Sequence, residues 1–122
     1  MVLSGDVHPS WAMNMAVDRH DSTQLDPETG EGAVAVELIV PGITSPFLER
    51  SMGEALLPRV LEEPHVQYAQ LWCRGYLVLD LDAERVRATF VHFEGVEQVK
   101  RASSRESVAV EVRAGERRLR VL

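Results

Sequence analysis

The stretch Ala33-Val34-Ala35-Val36-Glu37-Leu38-Ile39-Val40 is a near-continuous apolar run of strand length, interrupted by Glu37 and closed by Pro41-Gly42. A run of this kind is satisfied only when both of its faces are covered, because a strand with one wet face alternates apolar and polar residues. The chain must therefore place this strand inside a sheet and lay further elements over both sides of it. At 122 residues it has material for one compact domain, of a size that buries roughly two-thirds of the surface its unfolded form exposes. One core is expected.

The remaining pattern supplies the other layers. Met1-Val2-Leu3-Ser4 reads as the end of a buried strand, with Gly5-Asp6-Val7-His8 directly after it. Domains usually begin with a polar, frayed terminus, so this opening leads us to expect further sequence upstream. Residues 11–17 have the spacing of a short helix, with Ser10 as its N-cap and Trp11, Ala12 and Met15 turned inward. Residues 18–32 are polar, acidic and punctuated by Pro27, Gly30 and Gly32, the composition of a long exposed loop. Thr44-Ser45-Pro46 provides a helix start, and Met52, Leu56 and Val60 form the inward stripe of the helix that follows, which Pro58 should kink or split.

Beyond Pro64 the pattern changes to strands. Residues 66–72 and 76–81 flank Cys73-Arg74-Gly75 as a hairpin with Gly75 in a tight turn. Asp82-Ala83-Glu84 makes a second turn, and residues 85–93 alternate, with Val86, Ala88, Phe90 and His92 on one face. A last hairpin joins residues 107–113 to 117–121 through Ala114-Gly115-Glu116, and residues 97–106 read as a linker. The fold class that results is α/β in the α+β sense, with a mixed, mostly antiparallel sheet and one or two helices.

Nineteen acidic residues against 13 basic ones give a net charge of −6. The field of such a surface repels phosphate backbones and anionic headgroups, so no nucleic-acid-binding or membrane-binding face is expected. A small anionic ester is not excluded, because bound cations reverse the sign locally. Cys73 is the sole cysteine, which rules out an internal disulfide and a paired-cysteine zinc site. No apolar run approaches the roughly 20 residues a membrane helix needs, and no basic segment followed by an apolar one is present at the start to act as a secretory signal.

The residues able to do chemistry stand at the start. Asp6 and His8 stand two residues apart just after a strand, and in an extended segment side chains at that spacing point to the same side, so both are expected to reach one site. A carboxylate beside an imidazole suits zinc, manganese or iron, and Gly5 lets the backbone turn closely. Taken alone, an acid-x-His triplet is also accounted for by a solvated turn with a histidine at a strand end.

The string LSGDVHPSWAMNM resembles the Gly-Asp-x-His segment of the alkaline phosphatase D (PhoD-like) metallophosphoesterases. AVELIVPGITSP resembles that family's strand and Thr-Ser-Pro turn, and EEPHVQYAQLWCRGYLVLDLDAERVRATF its Pro-His strand, Arg-Gly-Tyr hairpin and following strand. VEVRAGERRL is similar to its carboxy-terminal end. The resemblance implies the carboxy-terminal part of an α/β/β/α sandwich, with a metal cluster, iron and calcium before zinc or manganese, at the strand ends. It implies hydrolysis of phosphate monoesters or diesters as the activity, with Asp6 and His8 as metal-site residues. In such chemistry the metals supply hydroxide and clamp the phosphoryl oxygens; His8 is either a ligand or the acid that protonates the leaving alkoxide, since an imidazole titrates in the useful range.

Most metal ligands of that family lie upstream of the matched segments, so the chain is expected to be inactive alone. Two other readings are a non-catalytic interaction module on a phosphatase-derived scaffold and one half of a split enzyme. Members of the family are often secreted or periplasmic. Thr44 and Ser45 either line the site or cap the helix, and capping already accounts for them. For His65 a structural hydrogen bond is expected, for Cys73 no nucleophilic role, and for Trp11, Trp72, Tyr76, Phe90 and Phe93 a place in the core. The apolar Gln70-Leu71-Trp72-Cys73 segment and the opening strand would be exposed in an isolated chain and would favour self-association.

Overall fold

The computed structural model describes residues 1–122 apart from 22, 46, 95–102 and 105–106, with the backbone alone at 94, 103 and 104. The apolar run becomes β3 (Ala35–Ile39), flanked on one side by β1 (Val2–Ser4) and on the other by β2 (Ser10–Met15), with β4 (Val66–Gln70) beyond β2. β1 runs parallel to β3, and β2 is antiparallel to both β3 and β4. A second, wholly antiparallel sheet holds β5 (Arg74–Leu81), β6 (Arg85–Glu94), β8 (Val108–Arg113) and β9 (Arg120–Val121), with the short β7 (Ser103–Ser104) also paired to β6. The fold is α+β: two mostly antiparallel sheets face to face and, among the described residues, one helix, α1 (Arg50–Leu61).

The faces follow from the residues. Ala12, Val36 and Leu38 from the first sheet meet Ala88, Phe90, Val110 and Leu119 from the second, which makes the main core. The opposite face of the first sheet carries Val66, Ala69 and Leu71, covered by Leu57 and Val60 of the helix together with Leu48, Trp11, Met13 and Trp72. β3 turns Val36 and Leu38 into the main core, but on its other face Ile39 is buried while Ala35 and Glu37 are half-exposed and Glu37 lines an open cleft, so the double cover its composition predicts is only partial. β6 turns Ala88, Phe90 and His92 inward as its alternation predicts.

Residues 10–15 form a strand where helical spacing predicts a helix. Ser10, Ala12 and Asn14 point into the core while Trp11 and Met13 pack on the helix side. A segment with strands on both sides and apolar cover on both faces satisfies every backbone group by pairing, and that outweighs local propensity. Asn14 is buried there because its Oδ1 accepts the backbone N–H of Leu119 at 2.8 Å.

The helix begins at Arg50 with Glu49 in the N-cap position and no side-chain cap, so Thr44 and Ser45 do not cap it; Pro46 lies outside the described residues. It runs through Pro58 unbroken. Pro58 and Glu54 are both exposed, which leaves the carbonyl that proline cannot pair within reach of water. The inward stripe is Gly53, Leu57 and Val60, while Met52 and Leu56 are exposed. The one-position shift has a steric cause: Gly53 lies against Trp72, where a Cβ would come within 2.6 Å of Cε3.

β4 and β5 do not form a hairpin. They belong to different sheets, and residues 71–73 are the crossing between them, pinned where Gln70 Oε1 accepts the backbone N–H groups of Trp72 (3.0 Å) and Cys73 (3.3 Å). Leu71 and Cys73 are buried in this crossing, so the segment expected to be exposed is partly interior. The opening strand is the reverse case. β1 has a strand neighbour on one side alone among the described residues, and Met1, Val2 and Leu3 are exposed. Tyr76, expected in the core, is also exposed and pairs with Phe93 on the outer face of the second sheet. The 97–106 linker lies outside the described residues apart from 103 and 104.

The closing hairpin turns at Gly115, whose φ of 80° is of the kind glycine tolerates best. Glu111 in β8 is buried between two guanidinium groups, with Arg113 Nε at 3.0 Å and Arg85 Nη1 at 3.1 Å. The Arg113 hydrogen bond, reinforced by Arg85, holds its carboxyl below the usual carboxylate range. A carboxyl with a depressed folded value adds stability above its unfolded titration, and that stability is lost as pH falls through the folded value. Glu111→Gln should therefore lower the urea midpoint at pH 7, and the gap from the parent chain should close below about pH 4; a gap independent of pH would show that the charge is immaterial.

Candidate functional site

The parallel pair β1 and β3 end together, with Ser4 opposite Ile39. The chain leaves both strands at this edge, and ligands in sheets with parallel strands gather at carboxyl ends. After β1, residues 5–9 turn through Gly5-Asp6-Val7-His8-Pro9; Asp6 is exposed, His8 half-buried and Pro9 buried. After β3 the Pro41-Gly42-Ile43-Thr44-Ser45 loop passes beside them. The backbone N–H of Val40 donates to Ser4 O (2.9 Å) and that of Gly42 to His8 O (2.9 Å), which ties the two loops together.

Asp6 and His8 have φ of 73° and 75°, and among the described residues they are the non-glycine positions with positive φ. Left-handed backbone costs an L-residue roughly 1–2 kcal/mol, and Asp and His are among the side chains that tolerate it. The segment is accordingly a turn and not an extended strand. The rule that places side chains i and i+2 on one side does not apply to it; what unites Asp6 and His8 is membership of one strained turn.

Thr44 and Ser45 lie in the adjacent loop. Gly42 is closely invested, since a Cβ there would stand 2.9 Å from Ser45 O and 3.6 Å from Cβ and Cγ of His8. Thr44 contributes its carbonyl, which accepts from Arg74 Nε at 2.8 Å, and the N–H of Gly75 donates to Gly42 O at 3.1 Å. On the other side of the turn, Ser10 Oγ and His92 Nε2 are hydrogen-bonded at 2.9 Å in the core. Arg74, Gly75, Ser10 and His92 were not legible as site neighbours in the sequence. They are brought there by the crossing between sheets and by strand register, neither of which leaves a local signal.

His65 does not join this group. It stands in the turn just before β4 and lines a cleft of about 400 Å³ with Met13, Met15, Arg19, His20 and Glu37. Its Nδ1 is buried without a hydrogen bond, 4.0 Å from Glu63 Oε2, so the expected structural bond is absent at that atom. Burial, with Arg19 nearby, pushes its titration below that of a free imidazole. Cys73 is buried in the inter-sheet crossing, a setting that does not favour a thiolate.

An imidazole and a carboxylate in one turn match the donor chemistry of borderline metals. Among the described residues, however, no group of three or more His, Cys, Asp or Glu is placed to hold a metal ion. Asp6 and His8 fit such a centre as part of a ligand set and not as a cage, since even a catalytic zinc takes three protein ligands.

A sequence profile of PhoD-like phosphatases matches residues 1–90. The matched stretch contains the Gly-Asp-x-His turn, the 41–45 loop and the Arg-Gly-Tyr segment, and it ends before β8, so the similarity noted for residues 110–119 lies outside it. No curated protein and no solved structure matches the chain.

Proposed function

This chain belongs to the PhoD-like phosphatase family, and from that premise we propose that it forms part of a metal-dependent phosphoesterase acting on phosphate monoesters or diesters. Asp6 and His8 are its contribution to the site, and the other metal ligands come from outside the described residues. The observation that carries the reading is the positive φ at Asp6 and His8. Strain of this kind persists where surrounding structure enforces it, and it gathers at functional positions. Here it coincides with the acid and the imidazole of the family-like motif.

In this role the Asp6 carboxylate helps to hold a cation, with iron and calcium the first candidates and zinc or manganese next. His8 ligates beside it or donates a proton to the oxygen of the departing alcohol. Metal ions at such a site supply a water of lowered pKa and charge for the phosphoryl oxygens.

The test is a Mn²⁺ titration of the purified chain, together with hydrolysis of an aryl phosphate diester. Weak Mn²⁺ binding is expected, weakened further by about tenfold or more in Asp6→Asn and His8→Ala, and turnover should stay near background. Affinity unchanged in both variants would remove Asp6 and His8 from the site. Turnover at the rate of an intact enzyme would remove the claim that the site is partial.

Among the described residues one edge of β1 carries no strand neighbour, and Met1, Val2 and Leu3 are open to solvent, which favours a second reading in which exposed strands pair two copies of the chain. Sedimentation velocity should then show a dimer fraction that rises with concentration and falls in Leu3→Lys; a monomer throughout sinks this reading.

A further inference from the structure

We infer that one rung of the second sheet, Gly75 opposite His92, together with Arg74, is the support that positions the Asp6–His8 turn. This rests on the proposal that Asp6 and His8 belong to the phosphoesterase site. The turn is tethered at two places. On its far side Ser10, two residues beyond His8, is bound through Oγ to His92 Nε2 at 2.9 Å. Both groups are interior, Ser10 at 0% exposure and His92 at 3%. On its near side His8 O accepts from Gly42 N (2.9 Å), and Gly42 O in turn accepts from Gly75 N (3.1 Å). Arg74 Nε fixes the same loop at Thr44 O (2.8 Å).

The two tethers run to one place, because Gly75 and His92 are register partners on β5 and β6. A displacement of that rung moves Ser10 and Gly42 together, and with them both ends of the segment that contains His8. Pro9 stiffens the connection from Ser10, since its ring fixes its own φ and biases the residue before it toward extended backbone. His8 at φ 75° departs from that bias. Its conformation is therefore imposed from outside the turn, and the tethers are the groups that impose it. Gly75 can come this close because it has no side chain: a Cβ there would stand 2.1 Å from Val91 O. Arg74, Gly75, Ser10 and His92 are positioning residues in this account.

The experiment uses the full chain, isotopically labelled, with two readouts: the scalar couplings that report φ at His8, and affinity for Mn²⁺. Arg74→Met keeps the aliphatic stem and removes the donor, Arg74→Lys restores a donor, and Ser10→Ala tests the other tether with minimal change of volume. Arg74→Met and Ser10→Ala are each expected to move the His8 couplings away from left-handed values and to weaken Mn²⁺ binding about tenfold. Arg74→Lys should recover most of both. Unchanged couplings in Arg74→Met and Ser10→Ala would overturn the inference, as would equal losses in Arg74→Met and Arg74→Lys. If Mn²⁺ affinity in the parent chain is indifferent to Asp6→Asn, the reading of the site fails, while the couplings still decide whether the rung sets the turn.

Discussion

Gly75→Ala is expected to remove about 3 kcal/mol or more of stability, at the upper end of what overpacking does. The added methyl would lie 2.1 Å from Val91 O, 3.1 Å from Val91 C and 3.2 Å from the Cα of His92, so what must yield is the backbone of the neighbouring strand and not a flexible side chain. Yielding there opens the start of the β5–β6 pairing and pulls Gly75 away from Gly42 O. Urea unfolding at neutral pH measures the loss, and Gly115→Ala is the natural comparison. Gly115 has open space around it and φ of 80°, so its substitution carries a conformational cost alone, roughly 1–2 kcal/mol. If the two variants lose the same amount, the close approach at Gly75 is not the reason a glycine stands there.

That contrast bears on how much of the molecule is legible in the residues. A glycine between two apolar stretches reads as a turn, because turns are the commonest reason for glycine. At Gly115 the reading holds; at Gly75 the same residue marks the place where one sheet hands the chain to another. Nothing local separates the two cases, since the atom that excludes a side chain belongs to Val91. The stripe of the helix is only partly legible for a related reason. Val60 packs as its spacing predicts, but a buried glycine against Trp72 contributes no hydrophobic signal, so the apolar pattern points to Met52 and Leu56, each one position away from Gly53 and Leu57, which face the core.

The strand at β3 and the inner face of β6 are legible because their signals are of short range, a long apolar run in one and alternation in the other, although the cover that the run predicts is only partial on the Glu37 face of β3. β2 is not, since its strand character comes from β3 and β4 on either side of it and not from its own residues. The site divides along the same line. The Gly-Asp-x-His motif was visible, whereas the left-handed turn that holds it and the Arg74, Ser10 and His92 contacts around it depend on register between distant segments.

Phe90→Ala is expected to cost about 3–5 kcal/mol, the usual range for emptying a buried aromatic position. Domains of this kind hold only about 5–15 kcal/mol in all, so the variant should sit near the edge of unfolding at room temperature. Phe90 is fully buried where the two sheets meet, among Ala12, Leu38, Ala88 and Val110, with the Tyr68 ring centroid at 5.3 Å. It also stacks on His92, with parallel rings and centroids 6.2 Å apart, so the cavity left behind adjoins the group that holds Ser10. The damage should reach the site as well as the core. Leu57→Ala removes apolar volume from the helix side, where the residue is only partly buried. It should cost less than Phe90→Ala and leave the His8 couplings where they are. Urea unfolding and the His8 couplings, measured on both variants, separate the two clusters. Equal effects on His8 would mean that the turn responds to overall stability and not to the packing of β6.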